Sequence, residues 1–254
     1  EIVEGDHLGK LIYAGGDDVL AFVSLKDLPK VMRALRAYFS GSFLVNEDGG
    51  VKVDFQNGSG FIPLDDEEYP LSLTTSKKPR GFLYSMGTKA TASMGVAIVH
   101  HSYDLSKALQ ESRDAEKRAK DKIGRNAFSI SLNKRSGGAE VFGAKWYYEK
   151  DGYFEVIPVL EELIEAFSND EGISPKFAYD FRAELIGLKS PNLPDRAIES
   201  EVIRIVKRHA QKGFKERAEK IAQDLMRLKM NGVSLDDIGS MLIIAAFLAR
   251  RENQ

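Results

Sequence analysis

The chain has 254 residues, enough for one or two domains, and its 43% apolar and 29% charged content argues against wholesale disorder and against a low-complexity or collagenous chain. Thirty-six Lys and Arg against 38 Asp and Glu leave a net charge of -2, which argues against a uniformly basic nucleic-acid coat and leaves room for a local basic face. With no cysteine, disulfides, cysteine zinc sites and thiolate nucleophiles are excluded, which fits a cytoplasmic location, and the longest apolar run, Met241–Ala249, falls short of the ~20 residues of a membrane helix, so no membrane partner is expected.

Lys10–Ala14 and Val19–Val23 are short apolar runs separated by Gly15-Gly16-Asp17-Asp18, which predicts a β-hairpin whose glycines supply positive φ without strain. Ser24 with Asp27 three residues on is a capping-box-like helix start, and Leu28, Val31, Met32, Leu35 and Phe39 then repeat at helical spacing. From Gly41 to Thr91 the periodicity weakens. Two Gly-rich turns and an acidic run at 65–68 frame Val51, Val53 and Phe55, which alternate with polar residues. This predicts an irregular insertion at about 41–91 with at least one strand.

Ser93–Val99 reads as a strand, Asp104–Ile123 as a helix ended by Gly124, and Phe128, Ile130 and Leu132, alternating with Ser129 and Ser131, as a half-exposed strand. Beyond Trp146–Tyr148 the pattern is helical almost throughout, with Ser190–Asp195 a loop and Ser234 with Asp237 capping a last apolar helix. The fold class expected is α+β, with residues 1–140 a mixed domain, 141–254 an all-α domain, and the boundary within 138–150.

Gly15-Gly16-Asp17-Asp18 is the strongest chemical signal. It presents two carboxylates on a tight turn, with glycines that let a bulky anion approach the backbone. Hard divalent cations bind one or two carboxylates together with substrate phosphates, and ions held in this way assist phosphoryl-type displacement. His100-His101, as neighbours on a strand, point to opposite faces and are poor joint ligands. His209 shares a helix face with Val202, Ile205 and Val206 and reads as packing. The basic run Arg204, Lys207, Arg208, Lys212, Lys215 reads as a solvated helix face that could meet RNA phosphates. The aromatic group Trp146, Tyr147, Tyr148, Tyr153, Phe154 reads as a strand pair and core.

The order hairpin, helix, insertion, strand, helix, strand resembles the palm domains of GGDEF-type nucleotide cyclases and polymerases. With Gly-Gly-Asp-Asp at the turn, it is most similar to the large subunit of type III CRISPR–Cas effector complexes, of the Cmr (III-B) branch. The resemblance covers residues 8 to about 138. It rests on Leu8-Gly9-Lys10-Leu11-Ile12-Tyr13-Ala14-Gly15-Gly16-Asp17-Asp18-Val19-Leu20-Ala21, on Ser93–Val99, on Ala119-Lys120 with Gly124-Arg125-Asn126, and on Lys134-Arg135-Ser136-Gly137.

The resemblance implies a partial ferredoxin-like palm followed by a helical domain. It implies an RNA-guided complex in which ATP is joined into cyclic oligoadenylate, with guide RNA, target RNA and other Cmr-type subunits as partners. Asp17 and Asp18 would be catalytic and hold Mg2+ or Mn2+. Gly15 and Gly16 would admit the triphosphate, Lys120 would face phosphate oxygens, and Ser93 would contact the adenine edge. Palm domains also bring a group from a strand that precedes the hairpin by a helix. The fourteen residues before Gly15 are too few for both, and Glu1 is not methionine. The chain is therefore expected to be part of a longer polypeptide and weak or silent alone. Two alternatives are a non-catalytic scaffold that binds nucleotide, RNA or neighbouring subunits, and a diguanylate-cyclase-like enzyme.

Overall fold

A computed structural model describes residues 2–65, 70–71, 73–135, 137–150, 152–189 and 193–252. Part of the acidic run (66–68), Ser136 and residues 190–192 of the proline loop lie outside the described residues. The chain forms two compact units, Glu1–Met94 and Gly95–Gln254.

In the first unit β1 (Gly9–Gly15) pairs antiparallel with β2 (Asp18–Val23), and Gly15 stands opposite Asp18. The helix α1 (Leu28–Ser40) follows and buries Val31, Met32, Ala34 and Ala37. Its start is not the capping box that Ser24 and Asp27 suggest. Asp27 makes no side-chain cap; its carboxylate instead accepts the Leu8 backbone N–H at 3.1 Å. Pro29 supplies a preset φ in the first turn, where a missing N–H costs nothing.

The insertion holds four short strands in two antiparallel hairpins: β3 (Phe43–Val45) with β4 (Val51–Val53), and β5 (Phe61–Leu64) with β6 (Gly81–Tyr84). Val51, Val53 and Phe55 are buried and Lys52 is exposed, so the predicted alternation is that of β4. The other three strands run only three or four residues each, too few for a period of two to stand out.

The second unit contains a three-stranded sheet in the order β7 (Met94–Ile98), β8 (Ala127–Asn133), β9 (Ala139–Lys145), with α2 (Leu105–Asp121) between β7 and β8 in sequence. Asp104 caps α2 by accepting the Lys107 N–H at 2.9 Å. β8 and β9 are antiparallel. β8 is buried along nearly its whole length, not half-exposed. Its serines lie under α2, where Ser131 Oγ meets Glu111 at 3.4 Å, and small side chains there let the helix approach closely.

Tyr147–Tyr148 (β10) pairs with Phe154–Glu155 (β11), so strands persist to residue 155 and the helical part starts at Ile157, not at 141. Five helices follow: α3 (Ile157–Ser168), α4 (Lys176–Leu188), α5 (Asp195–His209), α6 (Lys215–Met230) and α7 (Leu235–Glu252). The architecture is α+β. The expected division near residue 140 falls inside the second unit, where β9 packs on α7. Met241, Leu242, Ile244 and Ala245 of α7 are fully buried, with α3 and α4 packed on the same helix, so its apolar run is core. Among the described residues no helix is long and apolar enough to cross a membrane.

Candidate functional site

The hairpin tip of the first unit is Gly16-Asp17, closed by the Gly15–Asp18 pair. Of these four residues only Gly16 has positive φ, at 62°, as in hairpin turns that place glycine first. The Gly-Gly pair predicts positive φ at both glycines; the register assigns it to one, because Gly15 belongs to β1. A Cβ on Gly16 would meet nothing within 4 Å, so glycine is required here by conformation and leaves open space beside the backbone.

Asp17 and Asp18 are both exposed at this tip. They supply hard oxygen donors with no cationic side chain of the described residues paired to them. Among the described residues no group of three or more His, Cys, Asp or Glu is placed to hold a metal ion. The donor set therefore fits a cation such as Mg2+ or Mn2+, which takes one or two carboxylates and completes its shell with water and phosphate oxygens, and does not fit a closed protein cage.

Gly16 also forms one side of an open hollow of about 540 Å³, whose other walls are Tyr38 and Phe39 at the end of α1 and Tyr84, Ser85 and Met86 after β6. Backbone bonds hold the last three: the Ser85 N–H donates to Gly60 O (3.2 Å) and the Met86 N–H to Phe39 O (3.2 Å). Ser85 Oγ donates to Gly60 O at 2.8 Å. Tyr38 donates its hydroxyl to Leu71 O at 2.6 Å, and burial pushes its pKa up to about 12. These residues are absent from the sequence reading. The available signal was the apolar run Phe82-Leu83-Tyr84-Ser85-Met86 inside an otherwise turn-rich stretch.

The four turn residues thus stand together, and the other two predicted site residues lie on different elements. Ser93 is half-buried just ahead of β7. Lys120 is on α2 in the second unit, exposed and paired with Glu116 one turn earlier at 2.5 Å. Past the end of α2, Gly124, Arg125 and Asn126 have φ of 93°, 61° and 45°, three left-handed residues in succession. Lys145 of β9 donates to the carbonyls of Gly124 (2.6 Å) and Arg125 (2.7 Å), and burial lowers its pKa.

The remaining polar signals resolve into structure. His100 and His101 lie beyond the end of β7, where strand alternation no longer applies. Their rings stack at 4.1 Å, and His100 Nδ1 shares a hydrogen bond with Ser102 Oγ at 2.7 Å. His209 packs near Phe177 (6.1 Å) with Nε2 3.1 Å from Asp180 Oδ2. The basic run is partnered across helices: Arg204 with Glu201, Lys207 with Glu219, Arg208 with Glu184. Trp146 is fully buried against Phe128.

The family model described as Cas10/Cmr2, second palm domain, matches residues 1–129. The CRISPR system Cmr subunit Cmr2 of Pyrococcus furiosus is 28% identical to this chain over 231 residues, which cover 87% of the chain and 20% of that protein. The chain spans about a fifth of the length of this curated relative.

Proposed function

The chain belongs to the Cas10/Cmr2 family through its second palm domain, and from that membership we propose that it binds ATP with a divalent cation and, within a Cmr-type complex, joins ATP into cyclic oligoadenylate. The observation that carries this reading is the exposed Gly15–Asp18 tip, where two carboxylates stand beside a glycine backbone with open space around it. In the proposed reaction the 3′-hydroxyl of one ATP attacks the α-phosphate of another and pyrophosphate leaves.

Asp17 and Asp18 would hold Mg2+ or Mn2+. Such ions, when bound, offset charge on the attacking and leaving oxygens. Gly16 leaves the backbone N–H side accessible to phosphate oxygens. Lys120 is proposed to contribute a point charge toward phosphate, and Ser93 to meet the adenine edge. A ferredoxin-like arrangement of the palm, other Cmr-type subunits, guide RNA and target RNA are part of the same proposal.

The test is Asp17→Asn combined with Asp18→Asn in the complex that contains this chain. Pyrophosphate release from ATP should fall at least about 100-fold, the scale on which electrostatic groups at a transition state act. Assembly should be unchanged, because neither side chain is buried. Undiminished oligoadenylate synthesis by the double variant overturns the assignment.

A further inference from the structure

We propose that the hollow beside Gly16 is the nucleobase subsite of the nucleotide site, with Tyr84 as the stacking surface and Met86 as its neighbour. This rests on the nucleotide reading of Asp17 and Asp18 and adds a specific seat for the base.

Three observations lead to it. The first is continuity. Gly16 forms a wall of the hollow and is bonded to Asp17, so a nucleotide whose phosphates lie at the carboxylates has the hollow within reach of its other end. At about 540 Å³ the space falls within the ordinary range of ~300–1,000 Å³ for small-molecule sites.

The second is exposure without mobility. Tyr84 is 74% exposed and Met86 65% exposed. Both follow a strand whose continuation is tied by the Ser85 and Met86 N–H groups and by Ser85 Oγ. Tyr84 and Met86 stand two residues apart, and both border the hollow. The Tyr84 ring meets Phe61 in a tilted-edge contact at 5.6 Å, which restrains it and leaves most of its surface open.

The third is chemistry. Ser85 Oγ is already engaged, donating to Gly60 O and accepting the Gly87 N–H at 3.2 Å. Tyr38 is likewise engaged with Leu71 O. What the hollow offers is an aromatic face, a polarisable thioether and the edge of Phe39, a surface for a flat, apolar-faced ring and a poor one for phosphate. Every base has such a face, so the subsite strengthens binding of nucleotides in general and leaves the choice of adenine to groups elsewhere.

The experiment measures equilibrium binding of ATP, GTP and inorganic tripolyphosphate, with Mn2+ present, to the complex that contains this chain. The variants are Tyr84→Ala, Tyr84→Phe and Asp17→Asn/Asp18→Asn. Stacking on one aromatic ring corresponds to a loss of roughly 10-fold in affinity when the ring is removed. Tyr84→Ala should therefore weaken ATP and GTP alike by about that factor and leave tripolyphosphate unchanged, and Tyr84→Phe should restore both nucleotides. The aspartate variant should weaken all three ligands.

Unchanged ATP affinity in Tyr84→Ala, with the aspartate variant still defective, overturns the subsite and leaves the wider reading standing. An equal loss for tripolyphosphate and ATP in Tyr84→Ala also overturns it, because the substitution would then act through the turn. Loss of complex assembly in Tyr84→Ala overturns it in favour of a protein surface covering the hollow. No effect of the aspartate variant on any ligand overturns the nucleotide reading itself.

Discussion

Arg125 and Asn126 adopt left-handed φ without being glycine, a conformation that costs on the order of 1–2 kcal/mol per residue and persists where the surroundings impose it. Lys145 is what imposes it on the side of the carbonyls, with its ammonium between Gly124 O and Arg125 O. A second buried charge makes a larger contribution to the same unit. Glu140, 9% exposed on β9, accepts both Arg182 nitrogens at 2.7 Å, Lys134 Nζ at 3.0 Å and Ser240 Oγ at 3.2 Å. Burial alone would raise the Glu140 pKa; the bonds from Arg182 and Lys134 outweigh it and hold the carboxyl below its ordinary 4.5. A carboxyl depressed in this way stabilises the fold at pH above the unfolded value and loses that contribution as pH falls through the folded one. Glu140→Gln should therefore cost about 2 kcal/mol at pH 7, and the difference from the parent chain should shrink as the pH drops below 4.5. Urea unfolding at a series of pH values measures both. A pH-independent difference would mean that packing, not charge, is lost.

At the scale of elements, the contact between β7 and α2 depends on one missing side chain. A Cβ on Gly95 would stand 2.1 Å from Ser112 O and 2.2 Å from Glu116 N, both helix backbone. Backbone cannot swing aside as a flexible side chain can, so Gly95→Ala must push α2 off the strand. The expected cost is about 3 kcal/mol, at the upper end of overpacking, read as a lower denaturation midpoint. A stability within 0.5 kcal/mol of the parent, the ordinary range for a surface change, would show that the helix moves freely. The strand β7 and the helix α2 were both legible in the sequence, from an apolar run of five residues and a 17-residue amphipathic pattern ended by Gly124. Their closeness was not, because glycine within a strand signals close approach without naming what approaches.

At the scale of the molecule, the second unit is built around α7, and the tryptophan that reports on it is Trp146, the sole tryptophan of the chain and fully buried. Ile244 is fully buried in α7. Ile244→Ala removes three carbons from that core and should cost about 3 kcal/mol, or roughly 6–12 °C for a unit of this size. The thermal midpoint followed by Trp146 fluorescence should shift by that amount. Asp17→Asn/Asp18→Asn, in the first unit, should leave the same midpoint in place. A shift of the Trp146 signal by the aspartate pair would show that the two units unfold as one.

The sequence by itself determined the turn chemistry, the α+β class and most long helices. These depend on neighbours along the chain: two glycines and two aspartates in succession, or apolar residues three and four apart. The palm resemblance was likewise legible, carried by contiguous motifs, and the family match over residues 1–129 agrees with it. Only the tertiary structure decided which glycine carries the positive φ, that the serine face of β8 is buried, that acidic partners neutralise the basic run of α5, and that Tyr84 and Met86 stand beside Gly16. Each of these depends on which distant segment lies against a residue. Burial, charge pairing and the walls of a hollow are properties of such neighbours in space, and residues 16 and 84 become neighbours only after the chain has folded.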